Sequence, residues 1–120
     1  MAAASLRDER VSYTPAFSAP DGSGVTFSGG ATYRQDGNGA CLRGFVQVNY
    51  AAAPSAVVVS LPPGLTAFGG TTLAGFNATT NNLLKGIANG SPTVTLTPVS
   101  GDLVTASGQF LEFNGCLDVQ

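Results

Sequence analysis

Apolar and polar residues alternate with a period of two along much of this chain, which is the pattern of a β-strand with one buried face. The clearest case is residues 40–50. The side predicted to be buried carries Leu42, Val46, Val48 and Tyr50. The opposite side carries Cys41, Arg43, Gln47 and Asn49, with Phe45 as its one apolar member.

Turn residues separate further short strands. Residues 36–39, Asp-Gly-Asn-Gly, tolerate positive φ and predict a tight reversal. Gly29-Gly30 predicts a bulge or bend, and residues 64–82 predict an exposed excursion with one short strand. Strands are predicted at residues 11–17, 25–28, 31–35, 40–50, 56–61, 73–76, 83–88, 93–97 and 108–117.

Strands recurring at intervals of about 8 to 12 residues are typical of an all-β sandwich or barrel. No stretch shows the period of a long amphipathic helix. We therefore predict one all-β domain, a single antiparallel β-sandwich of jelly-roll type at residues 11–120. Residues 1–10 are predicted to form an N-terminal arm.

The chain is poor in charge. Charged residues make up 10% of it, against about 25% in typical soluble domains. Five basic and seven acidic residues give a net charge of -2, which predicts neither a nucleic-acid partner nor a membrane-surface partner. The first ten residues lack the apolar segment of a secretory signal, which predicts synthesis and assembly in a cytoplasm.

The residues that usually perform catalysis are scarce. The chain has no histidine, and its one lysine is Lys85. A serine or cysteine nucleophile normally needs a histidine base, and Asp21, Asp36 and Asp102 lie in turn sequences where aspartate caps backbone. The sequence therefore predicts no enzyme activity, no catalytic residue, no cofactor and no metal site.

Two side-chain sets leave alternatives open. Cys41 and Cys116 are interpreted as buried free thiols, although they can form a bridge if their strands are neighbours. Tyr33, Phe45 and Tyr50 are interpreted as core residues, with a sugar-binding site as the alternative. The glycosylation pattern at Asn77-Ala78-Thr79 carries little weight without a secretory signal.

The order of several short motifs resembles a small β-sandwich module of tailed-bacteriophage virion proteins, found especially at the ends of tail fibres. Its matching segments here are Tyr13-Thr14-Pro15, Tyr33-Arg34-Gln35, Gly37, residues 42–50, Leu61-Pro62, residues 93–97 and Ala106-Ser107-Gly108. Together they span about residues 11 to 117. Modules of this kind are commonly trimeric, which would explain the shortage of charge on the surface.

The resemblance implies a structural, non-enzymatic protein of a virion surface, assembled in the bacterial cytoplasm. The favoured prediction is a trimeric capsid decoration (cement) protein that contacts the major capsid protein. One alternative is a tail-fibre tip or adhesin that binds a host surface glycan or protein through the loops around residues 64–82. A second alternative is a stand-alone carbohydrate-binding module.

Two sets of partner contacts are predicted. Four of the twelve charged residues lie together in the arm: Arg7, Asp8, Glu9 and Arg10. They are predicted to anchor the arm on another virion protein. Phe45, Gln47 and Asn49, on the outward side of the longest strand, are predicted to form the subunit interface. The alternative for the arm is a frayed terminus.

Overall fold

A computed structural model describes residues 10–67, 71–88 and 92–119. The described chain is all-β and contains no helix, which confirms the all-β part of the predicted fold. Nine strands run in the order β1 (Val11–Tyr13), β2 (Phe17–Ser18), β3 (Thr26–Asp36), β4 (Gly39–Asn49), β5 (Val57–Ser60), β6 (Thr71–Asn77), β7 (Leu83–Ala88), β8 (Thr93–Pro98) and β9 (Gln109–Asp118).

All nine strands belong to one antiparallel sheet. Their spatial order is β1-β3-β4-β9-β6-β7-β8-β5-β2. The closing strand β9 lies between β4 and β6 and joins the two hairpin units of the chain. The strands form one continuous sheet, so two separate sheets of a jelly-roll sandwich are not confirmed.

The sheet has to curl because its two edge strands, β1 and β2, follow each other directly in the chain. A flat nine-stranded sheet would separate its edges by about 38 Å at ~4.8 Å per strand. Tyr13 at the end of β1 and Phe17 at the start of β2 are four residue steps apart, which an extended chain spans in at most about 14 Å. The edges must therefore approach each other.

Hydrogen bonds hold the two edges of the sheet close together. The Tyr13 hydroxyl donates to the Ser60 carbonyl oxygen at 3.1 Å. The Ser60 amide donates to the Ala16 carbonyl oxygen at 3.0 Å, and the Ala16 amide donates to Ser60 Oγ at 2.7 Å. Residues 11–17, predicted as one strand with Pro15 marking an edge, thus form two short strands on the two edges of the sheet.

The core fills the inside of the curl. Residues 42, 46 and 48 of β4 point inward as predicted, as do Val94 and Leu96 of β8. Strand β9 contributes the largest fully buried side chain, Phe113, and β4 and β9 pair along almost their whole lengths.

Glycines let the central strands pack closely. A Cβ added to Gly44 would lie 2.4 Å from the Phe113 ring, and one added to Gly29 would lie 2.1 Å from the Phe45 carbonyl oxygen. The predicted bulge at Gly29-Gly30 was wrong, because β3 and β4 pair without interruption from Thr26↔Asn49 to Asp36↔Gly39. Gly29 instead permits the close approach of a backbone. The predicted turn at residues 36–39 is confirmed, with Gly37 at φ 62°.

The prediction for residues 64–82 was wrong in part. Residues 71–77 form β6, an interior strand of the sheet between β9 and β7. Only residues 78–82 form the exposed turn to β7. The threonine- and glycine-rich composition suggested a loop, but pairing with β9 on one side and β7 on the other supplies the backbone hydrogen bonds of a strand.

The interpretation of the cysteines as buried free thiols was also wrong. Cys41 of β4 and Cys116 of β9 are directly opposite in the strand register and form a disulfide, with Cα atoms 3.9 Å apart. They lie on the outer face of the sheet, and Cys116 is exposed. The sequence could not reveal that strands 75 residues apart are neighbours.

Candidate assembly surface

The outer face of β4 and β9 carries exposed aromatic residues. Phe45 is 48% exposed and Phe110 is 42% exposed, while their chain neighbours Val46 and Leu111 are fully buried. Successive side chains of a strand point to opposite faces, so burial of those neighbours forces both rings outward. Exposed aromatic rings close together on one face are typical of a contact surface.

The strand register extends this face across four strands. Phe45 of β4 lies opposite Glu112 of β9, Glu112 lies opposite Phe76 of β6, and Phe76 lies opposite Leu83 of β7. Leu83 is 62% exposed. We call the outward residues of β3, β4, β9, β6 and β7 the outer face. Its central row is apolar except for one carboxylate.

Two grooves flank the Phe45 side chain. The first, of about 520 Å³, runs between β1 and β4. We call it the Gly30 groove; its lining includes Ser12, Thr14, Gly30, Thr32, Arg43, Phe45 and Glu112. The second, of about 490 Å³, is called the Phe110 groove and is lined by Phe45, Ala78, Thr79, Phe110 and Glu112. Both volumes lie within the roughly 300–1,000 Å³ of small-molecule sites.

The Gly30 groove passes over Gly30, where the strand has no side chain. Gly30 is opposite Phe45 in the register, on the outer face. A Cβ added to Gly30 would meet no atom within 4 Å, in contrast to Gly29, Gly44 and Gly75, where it would lie within 2.5 Å of another atom. Packing inside the chain therefore explains those three glycines but does not explain Gly30.

The charged residues of the outer face include Arg34, Arg43, Lys85, Glu112 and Asp118, and of these five only Arg43 and Glu112 line the two grooves. Arg43 lines only the Gly30 groove, whereas Glu112 lines both grooves. Both side chains are exposed. The face therefore offers one positive group beside the Gly30 groove and one negative group next to Phe45.

The structure places the predicted interface residues on this face. Phe45, Gln47 and Asn49 alternate along the outward side of β4. Gln47 and Asn49 are half-buried, and Gln47 Nε2 donates to the Gly108 carbonyl oxygen at 3.2 Å. Of the three, Phe45 is therefore the residue with free surface to offer a partner.

Sequence reasoning missed Gly30 and Phe110. Phe110 had a usable signal, since apolar Leu111, Phe113 and Leu117 fix the inward side of β9 and leave residue 110 outward. Gly30 had none, because it differs from Gly29 only in which atoms lie above it in the folded sheet.

The predicted arm lies mostly outside the described residues. Arg7, Asp8 and Glu9 are not among them. Arg10 is exposed, and its Nη1 donates to the Cys41 carbonyl oxygen at 3.4 Å. Arg10 therefore lies just before β1, close to the disulfide.

The structure separates the three aromatic residues considered for sugar binding. Tyr33 and Tyr50 are partly buried against the core, and the Tyr33 ring meets Tyr13 edge-on with centroids 5.5 Å apart. Phe45 points outward, contrary to the interpretation as a core residue. The three side chains do not form one site.

The Asn77 side chain is enclosed by the fold and hydrogen-bonded within it. It is fully buried, and its Nδ2 donates to the Leu103 carbonyl oxygen at 3.2 Å and to Gln109 Oε1 at 3.0 Å. Its Oδ1 accepts from the amides of Thr79 and Thr80. The amide that a glycan would need is therefore enclosed and bonded, so the glycosylation pattern at residues 77–79 is not an accessible acceptor.

Within the described ranges, no group of three or more His, Cys, Asp or Glu is placed to hold a metal ion. The same part of the chain contains no helix long and apolar enough to span a membrane. Comparison of the chain with family models, curated proteins and solved structures finds no match. The resemblance to the bacteriophage module thus stays a prediction.

Proposed function

We propose that this chain is a structural, non-enzymatic protein of a tailed-bacteriophage virion surface, and that it acts as a trimeric capsid decoration protein. The observation that supports the proposal best is the outer face. It presents Phe45 and Phe110 to solvent on a domain that has little charge to keep such a face soluble. A second copy packed on this face would remove both rings from water.

The proposal assigns the two regions of the chain different contacts. The outer face would join three copies, and the arm with Arg7, Asp8, Glu9 and Arg10 would reach the major capsid protein. The curled sheet would then be a jelly-roll-type sandwich whose two halves enclose the core. No catalytic step and no cofactor is part of this function.

The disulfide fits a protein that leaves the cell with its particle. Disulfides are rare in reducing cytoplasm and persist in oxidising surroundings. Assembly in the bacterial cytoplasm would therefore precede formation of the Cys41–Cys116 bond, which would close after lysis. The exposed position of Cys116 keeps the pair accessible to an oxidant.

The tail-fibre or adhesin alternative assigned receptor binding to the loops around residues 64–82. Because residues 71–77 form an interior strand, less of that region is available as a loop. This observation favours the decoration protein over the adhesin. The carbohydrate-binding alternative relied on Tyr33, Phe45 and Tyr50 as one aromatic site. Tyr33 and Tyr50 pack on the core, so these residues do not support it.

Quantitative mass spectrometry of the purified virion tests the placement. A decoration protein is expected in a copy number that follows the symmetry sites of the capsid. A handful of copies would contradict decoration and support the tail.

Deletion of residues 2–10 tests the arm. The truncated chain is expected to keep its β-sheet circular dichroism and its trimeric mass but to lose binding to capsids. Full occupancy of capsids by the truncated chain would contradict the anchoring role.

A further inference from the structure

We propose that Asn38 is a site of spontaneous deamidation, at which the side-chain amide is converted to a carboxylate without an enzyme. The inference goes beyond the proposed function and does not depend on it. It rests on the chemistry of an asparagine that is followed by glycine, and on the different backbone settings that the fold gives to two such pairs.

Three Asn-Gly pairs occur in the chain, at residues 38–39, 89–90 and 114–115. An asparagine side chain can react with the backbone nitrogen of the next residue, and glycine hinders this attack least because it has no Cβ. Residues 89 and 90 lie outside the described residues. The pairs that begin at Asn38 and Asn114 are therefore the two whose settings the structure describes.

The reaction at Asn38 proceeds in two steps. The Gly39 nitrogen bonds to Cγ of Asn38 while the bond from Cγ to Nδ2 breaks, and ammonia leaves with the proton of the Gly39 amide. Water then adds to one of the two carbonyl carbons of this cyclic imide, and the ring opens as the nitrogen regains a proton. One opening gives aspartate, and the other gives isoaspartate, in which the main chain runs through Cγ.

The side chains of Asn38 and Asn114 are both free to react. Both are exposed, and neither has a hydrogen bond to another residue of the described chain. Other asparagine side chains are held in place: the Asn77 amide is fully buried, and the Asn82 amide donates to two carbonyl oxygens. The side chains therefore make Asn38 and Asn114 alike.

The backbone separates the two asparagines. Asn114 lies inside β9, opposite Arg43 on one side and Ala74 on the other. Asn38 lies outside the strands, in the two-residue turn between β3 and β4, and Gly39 is the first residue of β4. Cyclisation requires rotation of the asparagine backbone, which breaks ladder hydrogen bonds inside a paired strand. The end of a ladder opens more readily than its interior, so we expect Asn38 to react first.

The conversion would change the end of β9. The Asn38 carbonyl oxygen accepts from the Val119 amide at 2.7 Å, and Val119 is buried and bridged to Ala67. Isoaspartate adds one carbon to the main chain of the turn and displaces this carbonyl group. The Val119 amide then loses its acceptor, so the end of β9 opens more often. The new carboxylate replaces a neutral amide and takes the net charge from -2 to -3.

Peptide mapping by mass spectrometry tests the site. The folded wild-type chain is kept in mildly alkaline buffer, and the mass gain from replacing ammonia by water is followed at each asparagine. Asn38 is expected to convert about tenfold faster than Asn114, because the ladder bonds around Asn114 must open first. In concentrated urea the two are expected to convert at similar rates, since both are then followed by glycine in an unfolded chain.

A pair of matched variants tests the structural consequence. Hydrogen exchange of the C-terminal peptide is expected to become faster as the wild-type chain ages. Asn38→Gln should abolish this change, because glutamine must form a larger ring and cyclises far more slowly. Asn114→Gln is the control and should leave the change as in the wild type. Both variants are expected to keep the β-sheet circular dichroism of the unaged chain.

Two results would overturn the inference. One is conversion of Asn114 as fast as Asn38 in the folded chain, and the other is an Asn38 that persists in the folded chain while it converts in urea. Neither result bears on the copy number in the virion, which tests the proposed function separately.

Discussion

The two faces of strands β4 and β9 differ in how completely their side chains are packed. The inner face is closed, with Val46, Leu111 and Phe113 at most 1% exposed, and even its glycine, Gly44, lies against the Phe113 ring. The outer face leaves Phe45 and Phe110 nearly half exposed and leaves open space over Gly30. The same strands therefore stabilise the fold on one side and present unfilled apolar surface on the other.

The largest expected contrast is between two phenylalanines of β9. Phe113→Ala is expected to lower the free energy of unfolding by about 3–5 kcal/mol, because it removes the largest fully buried side chain and leaves a cavity. Phe110→Ala should cost less, on the order of 1 kcal/mol in the monomer, since the residue is already 42% exposed. Urea unfolding at low protein concentration measures both. Equal losses would contradict the assignment of the two faces.

The disulfide is the covalent link on the outer face. Replacing both Cys41 and Cys116 by serine should lower the free energy of unfolding by about 2–4 kcal/mol, because the bridge limits the unfolded chain. Intact-mass measurement after alkylation under denaturing, non-reducing conditions should add no label to the wild-type chain. Two added labels would show free thiols and would remove this contribution.

Two glycines, Gly44 on the inner face and Gly30 on the outer face, extend the comparison between the two faces of the sheet. Gly44→Ala should cost about 1–3 kcal/mol, because its Cβ would overlap the Phe113 ring inside the packed core. Gly30→Ala should leave monomer stability unchanged or raise it by up to about 1 kcal/mol, since the new methyl group meets nothing. Thermal unfolding of both variants beside the wild type tests this. Destabilisation by Gly30→Ala would mean that the groove is needed by the fold itself.

The smallest effect concerns the seam where the sheet edges meet. Burial, with a further contribution from Tyr33, raises the pKa of Tyr13 from 10.0 to about 12. The unfolded chain therefore releases this proton at a lower pH than the folded chain. The contribution of Tyr13 to stability is complete below pH 10 and is lost as pH rises through 12.

Tyr13→Phe should accordingly flatten the fall in stability between pH 10 and pH 12. Urea unfolding at several alkaline pH values measures the slope, and Tyr50→Phe serves as the control. An identical slope in the wild type and Tyr13→Phe would contradict burial of that hydroxyl at the seam.

Local patterns were enough to predict most of the strands, and the inward sides of β4 and β8. The alternation in residues 40–50 and 93–97 predicted which side chains are buried, because a strand has a strict period of two. The turn at residues 36–39 was predictable from residues that tolerate positive φ.

Pairing between distant strands was not predictable. The position of β9 between β4 and β6 determines three features of the fold. These are the disulfide, the neighbours of Phe113 and the row of outward residues from Phe45 to Leu83. None of these follows from a local pattern, because each depends on segments far apart in the chain. The candidate surface was predicted only through Phe45, Gln47 and Asn49 of β4, and its grooves and Gly30 required the folded sheet.

The native mass of the chain tests the central claim, that the outer face is an assembly surface, most directly. Light scattering of the wild-type chain should give three times the chain mass of 12.0 kDa. Phe45→Glu should give a folded monomer, because a carboxylate cannot be buried unpaired between subunits. A wild-type chain that stays monomeric as its concentration is raised, or a trimer that Phe45→Glu leaves intact, would contradict the claim.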